Sequence, residues 1–452
     1  MSTPPALAVG AFFDSVLQAA LRQFFERATL DTEVTPSVSS DGRLAIEPSA
    51  NPAALIIRWF GTRYTLRVPG RWAFTAHEVR LAQSIGAVLA ARFSAILNPR
   101  IIAERNDLFR GAIDDRYVGA FLDPRPYAIE GQRGTRADRI ASVIEQLRVA
   151  ALSSYENRPI STGVLLLGTH GDPCRPGATV PQSAPSYDES LTAIKSLYRL
   201  ADGVRTVFLA NAEGTLLDII DIERWGLQAT RTATLQVPCA KAYQPHARAT
   251  LQQGHICAVL SPSREIKLFA EGAELFTFRG ASWHLLDLQA KYKLWAEAVG
   301  DEALAMRIFQ TALDLADARD GALFALVRDL DAVSQLVAPA DRLDLPVPER
   351  AGQPSRRDLL DLLEGRSLTD LDPNVLAALA SLDGAIVIDR QGRLLAAGAI
   401  LRHPPSPDRE TDGLVEGART TAALAASRFG PVLKVSEDGI ITFFDRERVW
   451  DI

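Results

Sequence analysis

Three short segments in the last third of the chain bring together residue types suited to phosphate and metal chemistry. Asp383 stands directly before Gly384 and Ala385, with the apolar run Ile386-Val387-Ile388 behind them. A carboxylate so placed can hold a hard divalent cation through oxygen, and the cation neutralises charge when a phosphate is attacked. The adjoining glycine allows a nucleotide to approach the backbone closely. Further on, Gly417-Ala418-Arg419-Thr420-Thr421 enters a helical pattern. Free N–H groups and the dipole at a helix start favour phosphate. Arg419 adds a planar, permanently charged donor. The third segment is Ser436-Glu437-Asp438-Gly439, where Glu437 suits metal or ribose contacts and equally suits a polar hairpin turn.

Other residues that could do chemistry lack the spacing for it. His170, Cys174, Cys239, His246, His255 and Cys257 match no zinc signature. Gly168-Thr169-His170-Gly171-Asp172 lacks the Gly-Lys-Ser/Thr of a phosphate-binding loop. His403, in a Pro-rich stretch, is expected to be exposed.

The elements that must position these groups follow from hydrophobic periodicity. Phe12, Phe13, Val16, Leu17, Ala20, Leu21 and Phe24 recur at helical steps, as do Leu81, Ile85, Val88, Leu89, Phe93 and Ile96. A strand pair is expected over 55–68, turning at Gly61. A boundary falls in the Pro-, Gly- and Arg-rich stretch 123–136. Beyond it come a helical face (Ile140, Val143, Ile144, Leu147), a buried strand over 163–168 and hairpins over 206–222 and 256–278. The last region has a helix carrying Leu304, Ile308, Ala312 and Leu315, a strand over 322–327 and a hairpin over 383–398. A helix over 418–429 and strands at 432–435 and 440–444 complete it. Ser355 and Asp372-Pro373 mark further helix starts. The expected organisation is a small α/β unit at 1–125 and two further α/β domains at 126–300 and 301–452.

The second and third regions run in parallel: amphipathic helix, buried strand, Pro-rich loop, Asp-Gly hairpin, Ala-Arg-x-Thr segment, then strands. Asp202-Gly203 matches Asp383-Gly384, and Ala247-Arg248-Ala249-Thr250 matches Ala418-Arg419-Thr420-Thr421. Duplication of one fold and chance recurrence of helix–strand–hairpin units both explain this pattern.

From about residue 303 to 447 the order Gly321–Val327, Asp383-Gly384-Ala385, Gly417–Ala423 and Ser436–Ile440 resembles the diadenylate cyclase domain. The resemblance implies a mixed β-sheet flanked by helices, binding ATP with Mg²⁺ or Mn²⁺. Two such domains face each other and condense two ATP into cyclic di-AMP. It assigns Asp383 to metal and the attacking hydroxyl, and assigns phosphate to Arg419 and the helix start. Gly384, Ala385, Thr420, Thr421, Ser436 and Glu437 complete the nucleotide site it implies. The segments 114–118, 202–207 and 283–287 are similar to sensor regions (DACNV-like) found before such domains.

One departure stands out. The family's Arg-His-Arg motif is Arg419-Thr420-Thr421 here, without the imidazole and the second guanidinium. Losing two charge-assisted hydrogen bonds weakens triphosphate binding about 10²- to 10⁴-fold. Two readings result: a divergent cyclase controlled by its N-terminal region, or a catalytically degenerate nucleotide receptor. A third is a scaffold that only assembles. Joining two nucleotides requires a homo-oligomer or an internal pseudo-dimer.

Composition agrees with this range. The 452 residues carry 49 basic and 55 acidic side chains, a net charge of −6, which disfavours a general nucleic-acid binder. With 47 % hydrophobic and 23 % charged residues the chain is ordinarily globular. The apolar run 82–91 is closed by Arg80 and Arg92, so no membrane span is expected. The start lacks a secretory pattern and three scattered cysteines suit a reducing compartment, giving a cytoplasmic expectation.

Overall fold

A computed structural model describes residues 5–25, 28–34, 44–68, 73–98, 100, 106–123, 125, 127, 135–168, 184–188, 194–230, 234–345, 360–402 and 417–452. Two compact units emerge. Unit 1 comprises Met1–Leu235 and Pro245–Asp287; unit 2 comprises Gln236–Gln244 and Leu288–Ile452. Both are mixed α/β, with sheets flanked by helices.

Unit 1 starts with helix α1 (Pro5–Phe24) and strands β1 (Thr29–Val34), β2 (Ala45–Pro48), β3 (Ala54–Trp59) and β4 (Thr62–Arg67), ordered β1-β4-β3-β2 and antiparallel. Phe60 and Gly61 both take positive φ, 47° and 74°, the two-residue turn that suits the twist of a hairpin. Helix α2 (Ala76–Ile96) opens with a capping box from Thr75 and Glu78. Phe13 of α1 meets Trp59 and Phe93 edge-on, with ring centroids 6.2 and 5.8 Å apart. By length and composition α2 is apolar enough to cross a membrane, yet 56 % of its most apolar window is buried inside the protein.

The larger part of unit 1 holds α3 (Ile113–Leu122), α4 (Arg136–Ala151), a small hairpin of β5 (Ser154–Tyr155) and β6 (Arg158–Pro159), and β7 (Thr162–Leu166). Next come β8 (Thr206–Ala210), β9 (Leu216–Asp221), α5 (Ile222–Ala229), α6 (Gln244–Ala249), β10 (Ile256–Leu260), β11 (Ile266–Ala270), β12 (Ala273–Arg279) and β13 (Ser282–Leu285). The sheet order is β13-β12-β11-β10-β7-β8-β9, with only the central β7–β8 pair parallel. His77 of α2 fastens the N-terminal part to this sheet, Nδ1 lying 3.0 Å from Asp287 Oδ1 and Nε2 3.7 Å from Glu271 Oε2.

Unit 2 contains α7 (Leu288–Val299), α8 (Glu302–Ala318), β14 (Ala322–Leu326), α9 (Asp331–Leu336), α10 (Pro373–Ala380), β15 (Ala385–Ile388), β16 (Leu394–Ala399), α11 (Ala418–Ala426), β17 (Val432–Val435), β18 (Ile441–Asp445) and β19 (Glu447–Asp451). Its sheet order is β16-β15-β14-β17-β18-β19, again with the central β14–β15 pair parallel. Asp301 caps α8, and Arg319 ends it in a left-handed conformation. Ala423 and Ala426 of α11 pack with Leu323, Val387, Val432 and Phe444 of the sheet in one core.

The two sheets are one topology used twice. The order β9-β8-β7-β10-β11-β12 corresponds strand for strand to β16-β15-β14-β17-β18-β19, with the same parallel and antiparallel pairings. The turns repeat atom for atom as well. Gly214 N donates to Asn211 O at 3.0 Å and Thr215 N to Asn211 Oδ1 at 2.8 Å; Gly392 N donates to Asp389 O at 3.0 Å and Arg393 N to Asp389 Oδ1 at 2.9 Å. Segments arriving from elsewhere in each unit dock on these turns identically. Tyr187 N donates to Gly214 O and Leu368 N to Gly392 O, both at 2.9 Å. Glu265 N donates to Ser261 Oγ at 3.1 Å, as Ile440 N does to Ser436 Oγ at 3.3 Å. The internal repeat is thus present in the structure as a shared strand order, shared pairing and the same turn bonds.

The repeat's register differs from the sequence match. Val164 pairs with Phe208 and Phe324 with Ile386, so strand pairing sets Arg205, not Asp202, level with Asp383. Arg248 stands in the last turn of six-residue α6, whereas Arg419 is the second residue of α11. Dipeptide similarity misaligned the copies because the loop before β8 is built on its own Asx turn.

Candidate functional site

Four segments of unit 2 deliver polar residues to one end of its sheet: the entries to β14 and β15, the start of α11 and the β17–β18 turn. Arg419 sits at the centre. Its Nη1 donates to Glu437 Oε1 at 2.8 Å, and Nη2 lies 3.6 Å from Asp383 Oδ1. The guanidinium lies over Gly321, where a Cβ would overlap it. The glycine before β14 is thus the floor on which the arginine rests. Asp383 is fully exposed, so water screens its ion pair and the carboxylate can be released at little cost.

Gly384 is needed for a different reason. Its φ is +110°, and a Cβ there would overlap the backbone of Gly398 and Ala399 on β16. Ala385, the first residue of β15, is buried opposite Ala399 and serves the sheet. At the start of α11, Gly417 is the N-cap without a side-chain cap, and its carbonyl accepts from Thr420 N at 2.8 Å and Thr421 N at 3.2 Å. Ala418 and Arg419 form the first turn ahead of those bonds. Ser436 faces inward to its own turn, with Oγ bonded to Asp438 Oδ1 and to Ile440 O at 3.1 Å. Its role matches that of Ser261 in unit 1, which makes it a turn residue.

The sequence reading gave no site role to three contributors here. Lys434 Nζ donates to Thr420 Oγ1 at 3.0 Å, bringing a second cation to the start of α11. Its signal was a single lysine in the otherwise apolar run Val432-Leu433-Lys434-Val435. Arg319 Nη1 donates to Asp438 O, bracing the turn that carries Glu437. Gly321 could be found only by knowing what packs on it.

The expected metal fits in a restricted way. Asp383 and Glu437 share one guanidinium and offer carboxylate oxygens, the donor type that Mg²⁺ and Mn²⁺ prefer. Among the described residues no group of three or more His, Cys, Asp or Glu side chains is assembled for a metal. The donor set therefore suits a cation that arrives with phosphate oxygens and water to complete its shell.

The corresponding end of unit 1 has different chemistry. Asp202 Oδ1 accepts from the N–H groups of Val204, Arg205 and Thr206 at 2.9, 2.7 and 3.0 Å. Burial opposes its charge, but these donors together hold its carboxyl below the usual range. Buried His246 places Nε2 2.8 Å from Gly203 O, and desolvation pushes its pKa down to about 4, leaving the ring neutral. His255 Nδ1 accepts from Gly168 N at 2.8 Å. Cys239 and Cys257 are buried. His170, Cys174, His403 and Ser355 lie outside the described residues.

No protein-family model matches the chain, and no curated protein does. Among solved structures, a hypothetical membrane-spanning protein from Bacillus cereus is 18 % identical with a TM-score of 0.26, over 36 % of this chain and 70 % of that one. A double mutant of DacA from Staphylococcus aureus is 22 % identical with a TM-score of 0.21, over 32 % of this chain and 85 % of that one. Both alignments are partial and both TM-scores low.

Proposed function

We propose that unit 2 is a nucleotide-binding domain of the diadenylate cyclase type, taking ATP or a related nucleotide together with Mg²⁺ or Mn²⁺. The observation that carries this reading is the meeting of Asp383, Arg419 and Glu437 at one end of one sheet. They come from segments far apart in sequence, and packing of the core requires none of them.

In this reading the three side chains form a resting state in which Arg419 is neutralised by two carboxylates. Asp383 and Glu437 would hold a divalent cation, which would supply charge neutralisation at the phosphates. Arg419 donates to phosphate oxygens in its planar fork. The first turn of α11 presents backbone N–H groups to the same anion. Lys434 and Thr420 supply a charge and a hydroxyl where the family has an imidazole and a second arginine. Asp383 is the group placed to accept a proton from an attacking hydroxyl and orient it.

A second reading has its own observation. Arg419 is engaged by both carboxylates, and Thr420-Thr421 supply no imidazole, which suits a receptor that binds nucleotide without turning it over. Incubation with ATP and Mn²⁺ separates the two. The cyclase reading expects a cyclic dinucleotide that disappears with Asp383→Asn. Micromolar binding without product selects the receptor, and neither binding nor product rejects both.

A further inference from the structure

The short turn that carries Glu437 is held from below. Helix α8 ends at Arg319, its C-cap in the left-handed conformation, with φ 64° and ψ 30°. Glycine is the usual occupant of such a position, because a Cβ is disfavoured there. Here the side chain has a use: Nη1 donates to the carbonyl of Asp438, the residue after Glu437. A Cβ on Gly439 would stand 2.8 Å from the same Nη1 and 3.0 Å from Ala316 O, so this glycine leaves room for the guanidinium and the helix end together. Gly439 N closes the turn on Ser436 O at 2.9 Å.

The matching turn of unit 1 keeps these bonds and lacks the arginine beneath. Arg264 N donates to Ser261 O at 2.9 Å, and Arg264, at φ +66°, stands where unit 2 has Gly439 at φ +80°. Counting back along β7 and β14 sets Pro159, which has no donor to offer, at the position of Arg319. The turn therefore folds without a brace, and forming it is not what Arg319 is for. The brace occurs in the copy whose turn presents Glu437 to Arg419. Two residues beyond Arg319, Gly321 carries the Arg419 guanidinium. One short segment thus supports both partners of that ion pair.

We propose that Arg319 is a positioning residue of the unit 2 site, fixing the Ser436–Gly439 turn so that Glu437 stands beside Arg419 where nucleotide binds. The proposal rests on the nucleotide reading of that site. Arg319 acts through the turn rather than on the ligand.

Arg319→Gly in the full chain is the test, because glycine takes this backbone conformation without strain and the fold is kept. Hydrogen exchange in the peptide spanning residues 436–440 is expected to quicken severalfold, with exchange in β14 unchanged and the thermal midpoint held. ATP with Mn²⁺ is expected to bind about three- to tenfold more weakly, the value of one hydrogen bond. Arg319→Lys, whose ammonium can donate to the same carbonyl, is expected to recover most of both losses. Unchanged exchange at 436–440 overturns the proposal, and so does unchanged ATP affinity beside quickened exchange. If the unaltered chain binds no ATP, the nucleotide reading itself is rejected and the positioning role falls with it.

Discussion

The central sheets of the two units share strand order, pairing and even turn hydrogen bonds, yet their corresponding ends differ in kind. In unit 2 that end holds Asp383, Glu437 and Arg419 around Gly321. Strand register places Arg205 level with Asp383, Ser161 level with Gly321 and Pro262 level with Glu437. What both copies retain is the apparatus of folding: Asn211 and Asp389 build one turn, Ser261 and Ser436 another. At the matched sheet ends, and among the described residues, only unit 2 sets a pair of carboxylates around a guanidinium. Residues shared by the copies therefore report architecture, and residues that differ at the matched ends report chemistry. Ser436 has a counterpart in Ser261, whereas Arg419, Asp383 and Glu437 are the candidate residues with none at the matched level.

The most disruptive way to challenge the comparison is Arg419→Ala. We expect nucleotide affinity to drop at least about tenfold, and by as much as a hundredfold, because a charge-assisted bidentate donor is lost. Arg205→Ala, at the matching level of unit 1, should leave affinity unchanged in the same titration. Equal losses in both would mean that the two ends act alike.

Gly384→Ala comes next, and its effect is on stability. A side chain at φ +110° that also overlaps the backbone of Gly398 should cost about 1–3 kcal/mol or more, read as a lower denaturant midpoint. Gly321→Ala offers the contrast. Only the flexible end of Arg419 stands in the way, so the fold should survive within about 0.5 kcal/mol while nucleotide binding weakens.

The smallest effect concerns unit 1 alone. The hydrogen bond to Asp287, and then the nearby Glu271 carboxylate, raise the pKa of His77 to about 9, while His77 in turn holds Glu271 down at about 2. A raised histidine pKa stabilises the fold fully below its ordinary value near 6.5, and that contribution fades as pH rises through about 9. The depressed glutamate stabilises above its ordinary pKa and fades as pH falls towards about 2. Thermal unfolding followed between pH 7 and 10 should show a modest decline in midpoint that His77→Gln abolishes.

Much of this architecture was legible in the chain. Helical spacing located α1, α2, α4 and α8, and Gly-containing turns located the hairpins. Less visible were β1, β2 and β19, whose residues alternate weakly, and α3, whose Asp114-Asp115-Arg116 start looks polar although Asp115 and Arg116 are buried as ion pairs. The convergence of Asp383, Arg419 and Glu437 follows motif order, but their ion pairing depends on side-chain placement that spacing does not encode. Lys434 escaped notice, and Gly321 was read only as the head of a strand motif, because each matters through its neighbour, Thr420 in one case and Arg419 in the other. The repeat was visible as a pattern, but its register needed the strand pairing, since Asp202-Gly203 imitates Asp383-Gly384 three residues out of step.

The central claim is that two copies of one fold divide the labour, with nucleotide chemistry confined to the end of unit 2. Isothermal titration of the full chain with ATP and Mn²⁺ tests it most directly. The account predicts one nucleotide bound per chain, binding that Arg419→Ala removes and Arg205→Ala spares. Two equivalent nucleotides per chain, or binding indifferent to Arg419, would contradict it.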